Sequence, residues 1–319
     1  MTLRVVTAQE VAERLTYDVC IPLMRDAMIA LSEGRTQQLL RGIIDLDNGN
    51  AFGVMPGALN SGPFGAKLVS VVPGNTAAGG MSHQGLVVLF DQDSGAPTAV
   101  LDAGEITAVR TAAASAAATD VLARPDASRL MIIGTGEQAL RHVEAIARVR
   151  RLESVRIWGR SAKGAAIIAT QLAARGFNAE AASDLSGAVG RADIICTLTA
   201  APEPILLGEW VSDGTHVNAV GSARAGPAEI DNALVARARF IADHRQSVLV
   251  QGAEFLRAKA AGLVGDGHVA GEIGEIFSGR LPGRTRPDEV TIYKSLGSIV
   301  QDLASAAYLL QPRAPGEDR

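Results

Sequence analysis

The 319-residue chain changes rhythm near its middle. In its first part, apolar residues recur at helical spacing. Thr7 with Glu10 three residues on reads as a capping box opening a short helix over 7–15. Val19, Leu23, Ala27 and Ala30 mark a longer helix over 17–33, with Gly34 placed as a left-handed cap. From Gln38 onward, short apolar runs punctuated by turn residues predict strands over 39–46, 51–55, 65–72, 85–90 and 98–101, with Asp47-Asn48-Gly49 as a turn. An alanine-rich stretch over 104–122 then predicts a helix whose small side chains allow close packing. Beyond it strands and helices alternate: the run Leu130-Met131-Ile132-Ile133, a helix over 138–150, a strand over 155–158, a helix over 163–175, and strands over 193–199, 217–220 and 240–243. Such alternation implies right-handed crossovers and a parallel sheet covered on both faces. The expected fold class is therefore α/β, a Rossmann-type doubly wound parallel sheet joined to a sheet-rich α+β domain. Glycine and proline thicken over 262–287, and 290–310 reads as a strand running into an apolar helix. Because the doubly wound unit is already complete, that last segment is expected to return to the first domain. The boundaries so predicted are 1–122 with 290–319 for the α+β domain, and 123–289 for the Rossmann domain.

Length supports the two-domain reading, since one core rarely grows to this size. Hydrophobic residues make up 47% and charged residues 20%, ample material for burial. A net charge of -4, without any block of like charges, argues against nucleic-acid and membrane partners, both of which need concentrated Lys and Arg. Cys20 and Cys196 lie far apart in apolar settings, which suits reduced buried thiols and a cytoplasmic location. No basic-then-apolar leader pattern opens the chain, and no apolar stretch reaches the roughly 18 residues of a membrane span.

Chemistry gathers first at Gly134-Thr135-Gly136-Glu137-Gln138-Ala139, a G-x-G-x-x-A turn between a strand and a helix. In that layout backbone N–H groups face a pyrophosphate: Gly134 permits the turn, Gly136 lets phosphate approach, and Ala139 lets helix pack on strand. Glycine-rich turns also end ordinary strands, so the rest of the chain has to decide. After the second strand of such a unit a carboxylate commonly accepts from the adenosine 2'-hydroxyl. Here Trp158-Gly159-Arg160-Ser161 offers no acid, and Arg160 with Ser161 suits a 2'-phosphate, so NADP(H) is expected over NAD(H). Thr197 and Thr199 end a predicted strand on the ligand-binding edge. Asp184 and Asp193 read as solvated or capping residues. His142, His216, His244 and His268 show no metal-ligand spacing, so no metal is expected.

Several stretches, in order and spanning nearly the whole length, resemble the ornithine cyclodeaminase and mu-crystallin family. They are Phe52-Gly-Val-Met-Pro56, Lys67-Leu-Val-Ser, Ser82-His-Gln84 with Val88-Leu-Phe-Asp91, Thr107-Ala-Val-Arg110-Thr-Ala-Ala, the Gly134 turn, Pro204-Ile-Leu-Leu-Gly-Glu-Trp210, His216-Val-Asn-Ala-Val-Gly221, and Tyr293-Lys-Ser-Leu-Gly297 with Gln301-Asp302-Leu303. The resemblance implies a homodimeric, nicotinamide-dependent enzyme acting on amino acids or their imines, with the first domain supplying substrate and dimer contacts. It places Arg41, Lys67 and Arg110 around the substrate carboxylate, a grip that fits the bidentate reach of arginine. Lys67, His83 and Arg110 are the catalytic candidates, with Lys67 or His83 as proton donor. Thr111, Gly134, Thr135, Gly136, Glu137, Gln138, Gly159, Arg160, Ser161, Thr197, Leu198, Thr199, Val220, Gly221 and Ser295 are the cofactor-binding candidates.

Two departures from the cyclodeaminase pattern bear on the reaction. A member that cyclises ornithine carries a glutamate where this chain has Gly53, and an aspartate where it has Ala223. Neither glycine nor alanine accepts an ammonium or moves a proton, although Asp91 or Glu229 stands available to compensate. Arg224 and the stretch 204–210 resemble the mu-crystallin branch. The expected reaction is NAD(P)H-dependent reduction of the C=N bond of a cyclic ketimine carboxylate, such as Δ1-pyrroline-2-carboxylate or Δ1-piperideine-2-carboxylate. A cyclodeaminase using bound NAD, and a non-catalytic NADPH-binding protein, are the alternatives.

Overall fold

Period-two and period-3.6 patterning becomes two sheets of different construction in the computed structural model, which describes residues 3–60, 62–78 and 82–312. Two units carry them, Met1–Arg110 with Ser298–Arg319, and Thr111–Gly297.

The first unit holds, among the described residues, a seven-stranded sheet. Its strands are β1 (Arg4–Val6), β2 (Thr36–Gln38), β3 (Gly42–Asp45), β4 (Ala51–Leu59), β5 (Phe64–Val71), β6 (His83–Phe90) and β7 (Pro97–Asp102). The order is β1-β7-β6-β5-β4-β2, with β3 also on β4. The single strand expected over 39–46 is thus two short ones, each antiparallel to a different half of β4. Helices α1 (Ala8–Arg14) and α2 (Tyr17–Ser32) precede the sheet. Thr7 caps α1 by accepting from the Glu10 N–H, but the reciprocal half of the box does not form, because the Glu10 carboxylate binds Arg4 and Arg14 instead. The buried stripe of α2 is Cys20, Ile21, Met24, Ala27, Met28 and Leu31, one position round from the predicted one, leaving Val19 and Leu23 half-buried. Gly34 does adopt positive φ, at 69°.

Helix α3 (Ala103–Leu122) leads from one unit into the other. In the second unit an eight-stranded, all-parallel sheet is ordered β10-β9-β8-β11-β12-β15-β13-β14 among the described residues. Its strands are β8 (Arg129–Ile133), β9 (Ser154–Trp158), β10 (Ala179–Ala181), β11 (Ile194–Thr197), β12 (His216–Ala219), β13 (Arg239–Ala242), β14 (Val269–Glu272) and β15 (Thr291–Lys294). The crossovers run through α4 (Glu137–Ile146), α5 (Ala162–Ala173), α6 (Leu185–Gly190), α7 (Asn232–Arg237), α8 (Arg245–Gln251), α9 (Ala253–Ala260) and α10 (Ile273–Phe277), and α11 (Ile299–Leu310) closes the described chain. Strand order reverses between β8 and β11, the doubly wound arrangement.

The return to the first unit falls later than residue 290. Strand β15 is ladder-paired to β12 on one side and β13 on the other, so it is a central member of the second unit's sheet, and only the segment from Ser298 belongs with the first. Asp193, expected to be solvated or capping, is buried just before β11. It accepts from Arg124, from Arg129 and from the backbone N–H groups of Ser128 and Arg129, which together hold its carboxyl well below the ordinary range despite burial.

Candidate active site

Strand β5 presents Lys67 on the face that carries Met55 of β4 and Val87 of β6, its register partners, both buried. A lysine on an apolar face must find a partner, and two helices supply them. Its ammonium lies 3.1 Å from Oδ1 of Asp302 on α11 and also donates to Thr107 Oγ1 on α3. One turn along α3, Arg110 directs Nε to the same Asp302 Oδ1 at 3.2 Å and Nη1 to Gln301 Oε1 at 2.9 Å. Lys67 and Arg110 are 3% and 4% exposed and Asp302 is fully buried, so water screens this cluster weakly. Two cations face one carboxylate, leaving one net positive charge, and Asp302 Oδ2 accepts no hydrogen bond.

Burial is the largest influence on Lys67; with help from Arg110 and Arg41 it outweighs Asp302 and pulls the ammonium down to about 8. Burial acts to raise the Asp302 carboxyl, but Arg110 and Lys67 win and hold it below the ordinary range. Arg41, half-buried just before β3, is close enough to act on both Lys67 and His83. His83 opens β6 opposite Val71, so strand alternation puts it on the face of Lys67, two alternations toward the sheet's open end. Its Nδ1 lies 2.9 Å from Ser82 Oγ. The ring keeps an exposed edge, yet crowding by protein first, then Lys67 and Arg41, lowers its affinity for a second proton. The first unit therefore gathers all four of its predicted residues: Arg41, Lys67, His83 and Arg110.

The second unit carries the glycine turn at the C-terminal ends of its strands. Gly134 has φ 133°, and a Cβ there would stand 2.6 Å from the Leu198 carbonyl oxygen, so both backbone and neighbour demand glycine. Gly136 differs. It is extended, at φ -81°, as the N-cap of α4, and a Cβ on it would meet nothing within 4 Å. No side chain caps α4, and the space over its first turn is open, which suits the approach of a phosphate. Gly159 lets Thr135 close in, since a Cβ there would be 2.6 Å from its methyl. Of the buried side-chain atoms without a hydrogen-bond partner, two stand near the glycine turn and the strand ends, Gln138 Oε1 on α4 and Ser295 Oγ just beyond β15. Orphaned polar atoms at the ligand edge, with the open glycine cradle, fit a dinucleotide. Ser295 is not a helix cap; Ser298 caps α11, accepting from Val300 N. Arg160 and Ser161 are exposed after β9, with Ser161 capping α5 through Gly164 N. Thr111 is buried on α3. Glu137 opens α4, Leu198 follows β11, and Val220 follows β12, its N–H bonded to Thr197 O.

Thr197 and Thr199 differ from expectation. Their hydroxyls are committed inward to Glu229: Thr197 Oγ1 donates to Oε2 at 2.8 Å, and Thr199 Oγ1 and N donate to Oε1 at 2.8 and 2.6 Å. Gly221 N donates to Oε2 at 2.7 Å. Glu229 is thereby fully engaged, and Asp91 holds a turn through Ser94 N and Oγ, so neither replaces the acids missing at positions 53 and 223. Thr107, Lys294, Gln301 and Asp302 stand inside the stretches that carry the family resemblance and Glu229 was weighed as a substitute acid, but motif reading gave none of them its role here and passed over Glu254 altogether. A further signal in the sequence is a charge set inside an apolar run, as Asp302 is in α11 and Lys294 in β15.

Residues 1–314 match the family model described as the ornithine cyclodeaminase/mu-crystallin family. The chain belongs to that family. Among family members, the chain is 34% identical to the mouse (Mus musculus) ketimine reductase mu-crystallin over 317 residues, 98% of this chain and 97% of that one. Among solved structures it superposes on the Thermococcus litoralis Δ1-pyrroline-2-carboxylate reductase in complex with NADH and L-proline, with a TM-score of 0.93, 29% identity and 96% of each chain covered. An archaeal alanine dehydrogenase, a dimer with bound NAD, superposes with a TM-score of 0.91 and 29% identity, covering 97% of this chain and 95% of that one. Among the described residues no helix is long and apolar enough to cross a membrane, and no group of three or more His, Cys, Asp or Glu side chains is placed to hold a metal ion.

Proposed function

We propose that the chain is an NAD(P)H-dependent reductase of the C=N bond of a cyclic ketimine carboxylate, forming the corresponding L-amino acid. The observation that carries this reading is the buried Lys67–Asp302–Arg110 cluster, which holds one positive charge in excess and so awaits an anion. A substrate carboxylate supplies that anion, and each charge-assisted hydrogen bond to it contributes roughly 1.5–3 kcal/mol. Family members that act on ketimines and on Δ1-pyrroline-2-carboxylate support the reaction class.

When bound, the reduced nicotinamide supplies a hydride to the imine carbon. Arg110 and Lys67 fix the carboxylate attached to that carbon, and Arg41 adds to the cationic surround. A protonated imine carries its own proton into the product amine, so no strong acid is needed from the chain. Lys67, with its ammonium near 8, holds a proton that can restore the balance when the imine enters neutral. Gly53 and Ala223 offer no carboxylate for a distal ammonium or for water, which weighs against cyclodeamination.

In the second unit Gly134, Gly136 and the first turn of α4 would hold the pyrophosphate. Arg160 and Ser161, with no acid after β9, favour NADP(H) over NAD(H), since one charged contact is worth roughly ten- to a hundredfold. The exposed apolar surface on and beside β3 supports a homodimer. The test is an absorbance assay at 340 nm with five- and six-membered cyclic imino acids, ornithine, and both nicotinamides. The expected result is turnover of the imino acids, tighter with NADPH; ammonia released from ornithine without net cofactor oxidation would replace this reading.

A further inference from the structure

Beneath the C-terminal ends of β11, β12 and β15 lies a buried Glu–Glu–Lys chain that none of the chemistry above employs. Glu229, Glu254 and Lys294 are all fully buried. Glu229 takes four donors from the end of β11 and the loops after β11 and β12, among them the N–H groups of Thr199 and Gly221, one on each carboxylate oxygen. Its own N–H donates to Glu254 Oε1 at 3.2 Å. The other Glu254 oxygen lies 2.8 Å from Lys294 Nζ, which also donates to the Ser222 carbonyl at 2.6 Å. Counted as ionised, two carboxylates against one ammonium leave one negative charge in excess; burial pushes the Glu229 carboxyl up, and Lys294 with the Thr199 and Thr197 donors works against that push. A structural clamp needs no such excess; one neutral amide per donor pair would serve, and an unpaired buried charge is costly to keep.

Its place gives the excess a use. In a doubly wound sheet the two nucleotide halves lie on either side of the strand reversal, here between β8 and β11. The first half, β8 and β9, carries the pyrophosphate turn and the adenosine side. The second half, β11, β12 and β15, is therefore the nicotinamide side, and Glu229 sits under two of its three loops. A nicotinamide ring is neutral when reduced and cationic once it has given up a hydride. We propose that Glu229, backed by Glu254 and Lys294, is a positioning residue that also holds a fixed negative charge under the nicotinamide half, favouring the oxidised over the reduced cofactor and so easing hydride release. The inference rests on the nicotinamide reading above. It adds a discrimination that the glycine turn cannot make, since pyrophosphate charge is the same in both redox states.

The test is binding rather than turnover. Dissociation constants of the oxidised and reduced cofactors are measured by calorimetry and by quenching of protein fluorescence, for wild type, Glu229→Gln and Glu254→Gln. Glutamine keeps the size of each side chain and removes its charge. The oxidised form is expected to weaken about tenfold more than the reduced form in Glu229→Gln, the order of effect of removing one unit charge from a weakly screened site. Should Glu229→Gln fail to fold, Glu254→Gln removes the same net charge without disturbing the four donors, and the same selective loss is expected. Equal weakening of both forms, with wild-type binding intact, would overturn the electrostatic role alone. Wild-type protein that binds neither form would overturn this inference together with the reading it rests on.

Discussion

Lys67 is a charge kept where charge is expensive. Burial has brought its ammonium down to about 8, while Asp302 keeps it from falling further. The cationic form is the one that binds a carboxylate, and it is lost as pH rises through that value. The rate constant kcat/KM for the imino acid is therefore expected to hold on the acid side of about 8 and to fall tenfold per unit above it. Lys67→Arg stays charged through this range, so its profile should lack that limb even if its rate is lower; a limb unmoved in Lys67→Arg would assign it to another group. Arg110 is the second half of the grip. Without it Lys67 and Asp302 neutralise one another and no charge remains for the substrate. Arg110→Ala should lose a hundredfold or more in kcat/KM, from two lost bonds of roughly 1.5–3 kcal/mol each, with the dissociation constant for cofactor unchanged. An equal loss of cofactor affinity would show that Arg110 acts on the fold instead.

At the scale of elements, the β8–α4 junction separates what glycine does for the fold from what it does for a ligand. Gly134→Ala meets both a positive φ and a carbonyl 2.6 Å away, so it should destabilise the chain outright. Gly136→Ala meets open space at an ordinary φ. Its thermal midpoint should match wild type while its cofactor dissociation constant rises at least tenfold; undiminished binding would move the pyrophosphate away from this turn. The same junction was fully legible in the sequence, because turn, strand and helix signals there are local. So were the β4–β7 strands and the Gly34 cap. The phase of α2 was not, since Val19-Leu23-Ala27 and Cys20-Met24-Ala27-Met28 satisfy helical spacing equally well and only its packing partner, chiefly α11, chooses between them. The pairing of Asp302 was illegible for a related reason. Its partners Lys67 and Arg110 lie 235 and 192 residues away, and no window along the chain joins them. Thr197 and Thr199 were placed on the correct edge, but their inward turn depends on Glu229, about 30 residues on.

For the whole molecule, the surface of the first unit sets the last expectation. All four residues of β3 are exposed, and among the described residues the strand pairs only with β4, which leaves its outer edge open there. Leu39, Ile44 and Leu46 are 71%, 59% and 44% exposed in the same stretch. An apolar strand with an open edge invites pairing, and proteins that stay in solution cover such edges or charge them. Asp45 falls between Ile44 and Leu46, but alternation along an extended strand turns it to the other face, and Asp47 only follows them, so a second copy of the chain is the cover that the proposed homodimer supplies. Light scattering should then give twice the 33.1 kDa of one chain. Two carboxylates set into the patch, Ile44→Glu with Leu46→Glu, should reduce the mass to that of a single chain, because a buried interface tolerates unpaired charge poorly. The substitutions fall on exposed positions, so the variant should retain its far-ultraviolet circular dichroism. A variant that keeps the doubled mass would place the interface on another face, and wild type at 33.1 kDa would remove the dimer altogether.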